Sequence, residues 1–594
     1  MFKRFLIAVV SSAFLLFLYF WLGQYRSELQ AQEIQEGMLR QAEEITSKLS
    51  PEELVGQVIH VAIPGTVLDP IAKKEIENIK PGGVILFGRN LGSRSEIKSL
   101  NKDLQTSALE NTGLPLLISV DQEGGRVIRV KDGVTQFPGA MALGQTKDKD
   151  MAKKVGFVTS YQLRKLGLNF LFAPDMDINN NPFNPVINTR SLGSNLETVL
   201  NAGVSYEEGA RLGGSIPVIK HFPGHGDTNV DSHLGLPKIE KTLEELKSFE
   251  LIPFQTAIQN GADAIMSAHI VYPKIDPNFP ATLSSKILGD LLRKEFQYNG
   301  LIITDAMEMD AIDEHYQKED PGVLALVAGA DIILMTSWGP TTQAMRDQIL
   351  KAYKKGSLVR EGKDLLKEAV KRQTYYKLKY GIISEFGELA KNGRANSIFP
   401  KELPEVLKNH FEEQDKNREN LFSQYYQDTL NRDVSRKAIV SFPKTFLPEN
   451  ASIESTVFYL KGEEFVSDLR SRSIVNSDLA NLRKKLEKKE VKRAILNSFT
   501  QTELDLAASL AQKFPEAEIV CLHYGTPFLD LPDAPNLKIL FSFSPTPESK
   551  KALLYSVLDR KNEIPLVDLI LKPNPKKSSA SVETEEDSVS KNTK

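Results

Sequence analysis

Residues 220–233 read KHFPGHGDTNVDSH and hold three of the eight histidines in a 594-residue chain, with two aspartates and a lysine. Asp231 and His233 stand two apart. In a loop, that spacing lets the carboxylate meet the imidazole, fix its tautomer and favour the protonated ring that a general acid requires. Pro223, Gly224 and Gly226 mark the segment as loop, and a loop bearing an acid could close over a substrate. Taken alone, such a pair is more often a surface contact with no task. Asp305, in GLIITDAMEMDAI, ends an apolar run, where a carboxylate serves as nucleophile, base or metal ligand, or caps the next helix. Lys220 and His221 are adjacent at the end of another run and both can donate to hydroxyls. In DQEGGRVIRV, Asp121 could accept from a pair of hydroxyls, and Arg126 or Arg129 could fix a carboxylate. As a loose set, His221, His225, His233, His269 and Asp305 could also ligate a metal. However, His60 has no His-x-His partner, and Pro and Gly separate His221 from His225. No metal is expected.

These residues need a scaffold that ends many strands on one face. Eight short apolar runs alternate with longer helix-like segments: 57–63, 82–87, 115–120, 168–173, 216–221, 263–269, 300–304 and 331–336. Continuous apolar runs separated by helices predict parallel strands covered on both faces. Eight such units predict a (β/α)8 barrel of the TIM type over residues 51–382, with a doubly wound open sheet as the alternative. The run ends carry Arg89, Asn90, Asp121, Asp175, Asp177, Lys220, His221, His269 and Asp305, so polar groups converge where such barrels place their active sites. Ser50, Pro51 and Glu53 predict the capped start of the first helix.

Outside the barrel, Lys3 and Arg4 precede an uncharged apolar run from Phe5 to Leu22. That length predicts an N-terminal transmembrane helix as membrane anchor, or a signal, within 1–26, with the remainder outside the cytoplasmic membrane. Residues 27–50 read as a polar stalk and 383–435 as a charged helical linker. A second alternation over 436–571 predicts a smaller α/β domain with a parallel sheet, and 572–594, poor in apolar residues, predicts a disordered tail. The 74 basic and 77 acidic residues give no basic excess, so a nucleic-acid partner is not expected. Cys521 is the single cysteine, which excludes an internal disulfide and a cysteine-based zinc cluster. Nothing in the sequence fixes the oligomeric state.

The longer stretch KHFPGHGDTNVDSHLGLP (220–237) resembles the signature of family 3 glycoside hydrolases, in the β-N-acetylglucosaminidase branch. DQEGGRVIRV, FPGAMALG, FAPDMDINNNPFNPVINTRSLGSN, SAHIVYP, ITDAMEM and AGADIILM resemble further family segments, in the family's order. The resemblance implies a retaining, two-step hydrolysis without metal or organic cofactor. Asp305 would be the nucleophile, and His233 paired with Asp231 the acid/base. Asp121, Arg129, Arg190, Lys220 and His221 would hold an N-acetylglucosamine (GlcNAc) ring. The second domain is similar to the family's C-terminal α/β sandwich. The expectation is a membrane-anchored, exported exo-β-N-acetylglucosaminidase acting on fragments of peptidoglycan in which GlcNAc is joined to N-acetylmuramic acid (MurNAc). Its rivals are a β-N-acetylglucosaminide phosphorylase, another family 3 β-glycosidase, and a silent wall-binding protein.

Overall fold

Each of the eight apolar runs contains a strand: β1 (Ile59–Ala62), β2 (Gly83–Ile85), β3 (Leu117–Val120), β4 (Phe170–Leu171), β5 (Ile216–Phe222), β6 (Ala264–Ser267), β7 (Leu301–Thr304) and β8 (Ile333–Leu334). The structure is a computed structural model. It describes residues 2–229, 235–309, 312, 316, 320–385, 394–398, 405–426, 429–442, 455–532 and 534–558, with the side chains of residues 2–21 outside that set. The strands pair in parallel from β1 through to β7, and β8 pairs with β1. A parallel bridge between Ile303 and Ile332 then joins β7 to β8. The sheet is thus a nearly closed barrel rather than an open doubly wound sheet. Residues on successive strands fill its interior, among them Ala62, Ile85, Leu117, Phe170, Val218, Met266, Ile303 and Leu334. Ser50 opens the first barrel helix with the expected reciprocal cap: its hydroxyl accepts from the Glu53 N–H at 3.2 Å, and Glu53 accepts from the Ser50 N–H at 2.8 Å.

The end of the barrel where strands begin is plugged. Tyr376, Tyr380 and Ile382, at and beyond the end of helix Leu365–Lys379, enter the interior cluster. Lys379 and Tyr380 both reach Asp263, just before β6. The other end, where strands finish, is left to the loops.

Outside the barrel, two segments read as stalk and helical linker pack against it. The stretch expected to be a free polar stalk belongs to a helix, Phe2–Ser47, whose Met38, Ala42 and Ile45 are buried in the barrel-side core. Their spacing of four and three places them on one helical stripe, and the stretch docks because that stripe is apolar within a polar segment. No helix among the described residues is long and apolar enough to cross a membrane. The span expected at 5–22 is helical in backbone, but its side chains, Leu22 apart, lie outside the described residues. The segment read as linker contributes helix Glu405–Tyr425, which packs Phe422 on Tyr161 at 4.4 Å and Tyr425 on Phe157 at 5.2 Å.

The second domain is built on β9 (Val440–Phe442), β10 (Thr456–Tyr459), β11 (Arg493–Ser498), β12 (Glu518–His523) and β13 (Leu537–Phe541), in the order β9-β13-β12-β11-β10. Four strands are parallel, as expected, but edge strand β9 runs antiparallel to β13. The direction of an edge strand is set by how the chain enters the domain, and the apolar pattern does not encode that. Met141 and Ala142, on the barrel helix Ala140–Gln145, are buried in this domain's core. The expected tail at 572–594 lies outside the described residues.

Candidate active site

The loops at the strand ends enclose a cavity of about 470 Å³, within the size range of small-molecule sites. It is lined by Asp121, Glu123, Arg129, Arg190, Lys220, His221, His225, Asp305 and Glu308, together with apolar side chains such as Phe87, Phe172 and Met309. All five residues expected to bind a ring and the expected nucleophile therefore line one space.

β3 delivers Asp121. The chain then turns through a short hairpin, Gln122–Gly124 against Val127–Ile128. Gly125 at its tip has φ +57°, and a Cβ there would lie 2.6 Å from the Gly139 Cα, so only glycine lets the hairpin rest on the following loop. This seating fixes Glu123, which the sequence reading missed. Its carboxylate accepts from Arg190 Nε and Nη2 at 3.0 and 2.9 Å and lies 2.7 Å from Lys220 Nζ. Lys220 also donates to Asp121 Oδ1 at 2.8 Å. Burial opposes ionisation of Glu123, but Arg190 and Lys220 outweigh it and hold the carboxyl well below the usual range. Burial likewise disfavours the Lys220 ammonium, yet Asp121 and Glu123 keep its pKa raised. The result is two acids and two cations in alternation. A buried acid two residues after Asp121 was visible in the sequence, but nothing local showed that two distant cations would converge on it.

His221 follows Lys220 through a cis peptide, and both side chains line the cavity. The His221 Nδ1 lies 2.7 Å from Asp177 Oδ2, and the Arg190 Nη2 lies 3.5 Å from its Nε2. Burial pushes His221 down to about 4, against the pull of Asp175, and pushes Asp177 up to about 6. At neutral pH the ring is therefore neutral and the carboxylate ionised. Nδ1–H donates to Asp177, which leaves Nε2 as an acceptor facing the cavity. Asp175 is held well above the carboxylate range by burial and by Asp177. Arg129 takes its place through Gln122, which accepts from its N–H at 3.0 Å. Its Nε is buried with no hydrogen-bond partner among the described residues, and the residue lines the cavity.

Asp305 follows β7 directly. Its N–H donates to Ser267 O at 3.3 Å, and Oδ1 accepts from the Ala306 N–H at 2.8 Å. Burial raises its pKa, but His221, His269, the Ala306 N–H and Lys220 together bring it below the usual value. An ionised carboxylate at the cavity wall, beside a neutral imidazole, is the charge state a nucleophile needs.

Asp231 and His233 lie in residues 230–234, outside the described residues. Both flanks of that loop are fixed. Asn184 donates to the carbonyls of His225 and Gly226, each at 2.9 Å, and Ile239 N–H donates to Val271 O at 3.0 Å. Lys241 sits between Asp227 and Glu250, at 2.6 and 2.5 Å. The loose metal set is not assembled among the described residues, since His225 bonds Thr228 and His269 bonds Thr282 and Ala306 O. One group, Asp175, Asp177 and His221, comes close enough to hold an ion, but the Asp177–His221 hydrogen bond already joins two of its members.

Residues 52–373 match the model of the glycosyl hydrolase family 3 N-terminal domain. Over 287 residues the chain is 39% identical to a β-hexosaminidase A of Pseudoalteromonas piscicida; the matched region is 46% of this chain and 48% of that protein, so it spans about half of the relative's length. A β-hexosaminidase of Idiomarina loihiensis is 34% identical over 279 residues, covering 46% of this chain and 82% of that protein. Among solved structures, a family 3 β-N-acetylglucosaminidase from a Paenibacillus species superposes with a TM-score of 0.73 at 29% identity, covering 89% of this chain and 99% of that one.

Proposed function

Because the chain belongs to glycosyl hydrolase family 3, we propose that it is a retaining exo-β-N-acetylglucosaminidase that removes terminal GlcNAc through a covalent glycosyl–Asp305 intermediate. The carrying observation is the placement of Asp305 in one cavity with Asp121, Arg129, Arg190, Lys220 and His221. Alternating acids and cations supply acceptors and donors for a ring of hydroxyls, and Arg129 adds a further guanidinium to the cavity wall. Asp305 attacks the anomeric carbon as the leaving oxygen takes a proton, and its charge stabilises the oxocarbenium-like transition state. His233, oriented by Asp231, donates that proton and then takes one from the attacking water. No metal or organic cofactor takes part in this scheme.

The natural substrates we assign are peptidoglycan-derived GlcNAc–MurNAc fragments. The run 5–22 would anchor the protein in the cytoplasmic membrane with the barrel on the outer side, near the wall. Export is tested by fusing the chain to a reporter active only outside the cytoplasm; an inactive fusion would remove the location. The activity is tested with aryl N-acetyl-β-glucosaminide and aryl β-glucoside, with and without phosphate. Cleavage of the acetamido sugar alone, unaffected by phosphate, is expected. Phosphate-dependent release of a sugar phosphate would instead assign a phosphorylase.

A further inference from the structure

We propose that Glu308 is a positioning residue for Asp305, replacing with its carboxylate the strand-to-strand hydrogen bonds that β7 and β8 lack at the mouth of the barrel. The proposal rests on the nucleophile role given to Asp305.

The ladder between β7 and the β8 chain is short, with Ile332 N–H donating to Ile302 O at 3.1 Å and Thr304 N–H to Ile332 O at 3.0 Å. Other neighbouring strands pair at two or more residues, whereas these two meet at the single bridge Ile303–Ile332. Toward the mouth the ladder gives way to substitutes. Leu334 N–H donates to the Thr304 hydroxyl at 3.0 Å, and Met307 N–H donates to Leu334 O at 3.0 Å. Beyond that point the next N–H groups of the β8 chain turn to one side chain. Thr336 N–H donates to Glu308 Oε2 at 3.0 Å and Ser337 N–H to Oε1 at 2.8 Å, and the hydroxyls of the same residues add bonds at 3.3 and 2.5 Å.

Four donors thus occupy both oxygens of Glu308. A carboxylate so occupied has little capacity left to shuttle a proton, although it lines the cavity. Its effect passes through the backbone of residues 305–308. On the β6 side, Asp305 N–H is tied to Ser267 O, and Ala306 O lies 2.9 Å from His269 Nε2. On the β8 side the ties are Met307 and Glu308. Without Glu308, two main-chain N–H groups lose their acceptors, and the turn that aims Asp305 is held on one side only. Displacing a reacting group by about 1 Å costs on the order of 100-fold in rate.

The test is Glu308→Gln in the full chain, with kcat counted per active site by a slow fluorinated glycoside that accumulates the glycosyl-enzyme. An amide accepts at one atom only and sets its NH2 against the N–H donors of the seam. The expected result is a kcat per titrated site lower by about 10- to 100-fold, a KM within about two-fold, and both limbs of the pH profile unmoved. An unchanged titrated kcat with a lower Tm would make Glu308 a seam residue only and overturn the proposal. So would a raised KM at constant kcat, which marks direct ligand binding, or the loss of one pH limb, which marks an acid or base. Full activity in Asp305→Ala would remove the nucleophile assignment itself, whatever Glu308→Gln does.

Discussion

At the scale of single residues, the site is a set of charges balanced by contact. Glu123 is its hub, since its carboxylate meets both Lys220 and Arg190. Its side chain is almost fully buried, so removing its charge leaves two buried cations with Asp121 as the remaining partner of one of them. Breaking such a buried pair costs about 3–5 kcal/mol. Glu123→Gln is therefore expected to lower the Tm and to raise KM for the acetamido sugar by at least ten-fold. An unchanged KM, measured on the folded variant, would mean that Lys220 and Arg190 do not hold the ring. The sequence showed Asp121, Lys220, His221 and Asp305 because each ends an apolar run. It did not show Glu123, Asp177 or Glu308 as partners, because their contacts join positions tens of residues apart in the chain. For the same reason the tautomer of His221 could not be read from its neighbours in sequence.

At the scale of elements, strands and helices were legible because their apolar periodicity is local. Eight repeated units pointed to a barrel but left an open sheet as the alternative, because closure depends on β7 meeting the β8 chain at Ile303 and Ile332. The plug helix Leu365–Lys379 holds a second feature that the pattern hid. Lys377 is buried, its Nζ donates to Gln57 Oε1 at 3.2 Å, and burial pushes its pKa down to about 7. His60 lies beside it, and burial together with Lys377 pushes its pKa down to about 3, so the ring is neutral. The folded-state pKa of Lys377 is thus below the ordinary lysine value of 10.5. For a depressed group, the stability contribution is complete above the unfolded pKa and is lost as pH falls through the folded one. As pH falls from 10.5 to 7 the amine charges in the unfolded chain while the buried one stays neutral, so the native state loses stability, by a few kcal/mol at about 1.4 kcal/mol per unit. Lys377→Met should remove that slope. Denaturant unfolding at pH 7.5 and 9.5 is expected to show wild type gaining on the variant at the higher pH; a constant difference would contradict the assignment.

At the scale of the whole molecule, the pieces read from sequence as accessories pack onto the barrel. The N-terminal helix places Met38, Ala42 and Ile45 in its core, followed by Leu49, and Glu405–Tyr425 stacks aromatics against it. Sparse apolar residues in polar segments gave the sequence reading too weak a signal to separate a docked helix from a free one. Burying Met38, Ile45 and Leu49 stabilises by an upper bound of about 9 kcal/mol. A chain starting at Glu28 is expected to keep the full Tm, whereas one starting at Ser50 should melt several degrees lower. Equal melting would show that the helix does not dock. The second domain grips Met141 and Ala142, on the helix that follows the hairpin bearing Glu123, so it supports the same side of the cavity that carries Asp121 and Arg129.

The central claim is tested most directly by hydrolysis of aryl N-acetyl-β-glucosaminide against aryl β-glucoside, by the wild-type chain and by Asp305→Ala. The expected result is release of GlcNAc from the acetamido sugar alone, with at least ~10³-fold loss in the variant. Equal cleavage by wild type and variant, or turnover of the glucoside in preference, would contradict the account.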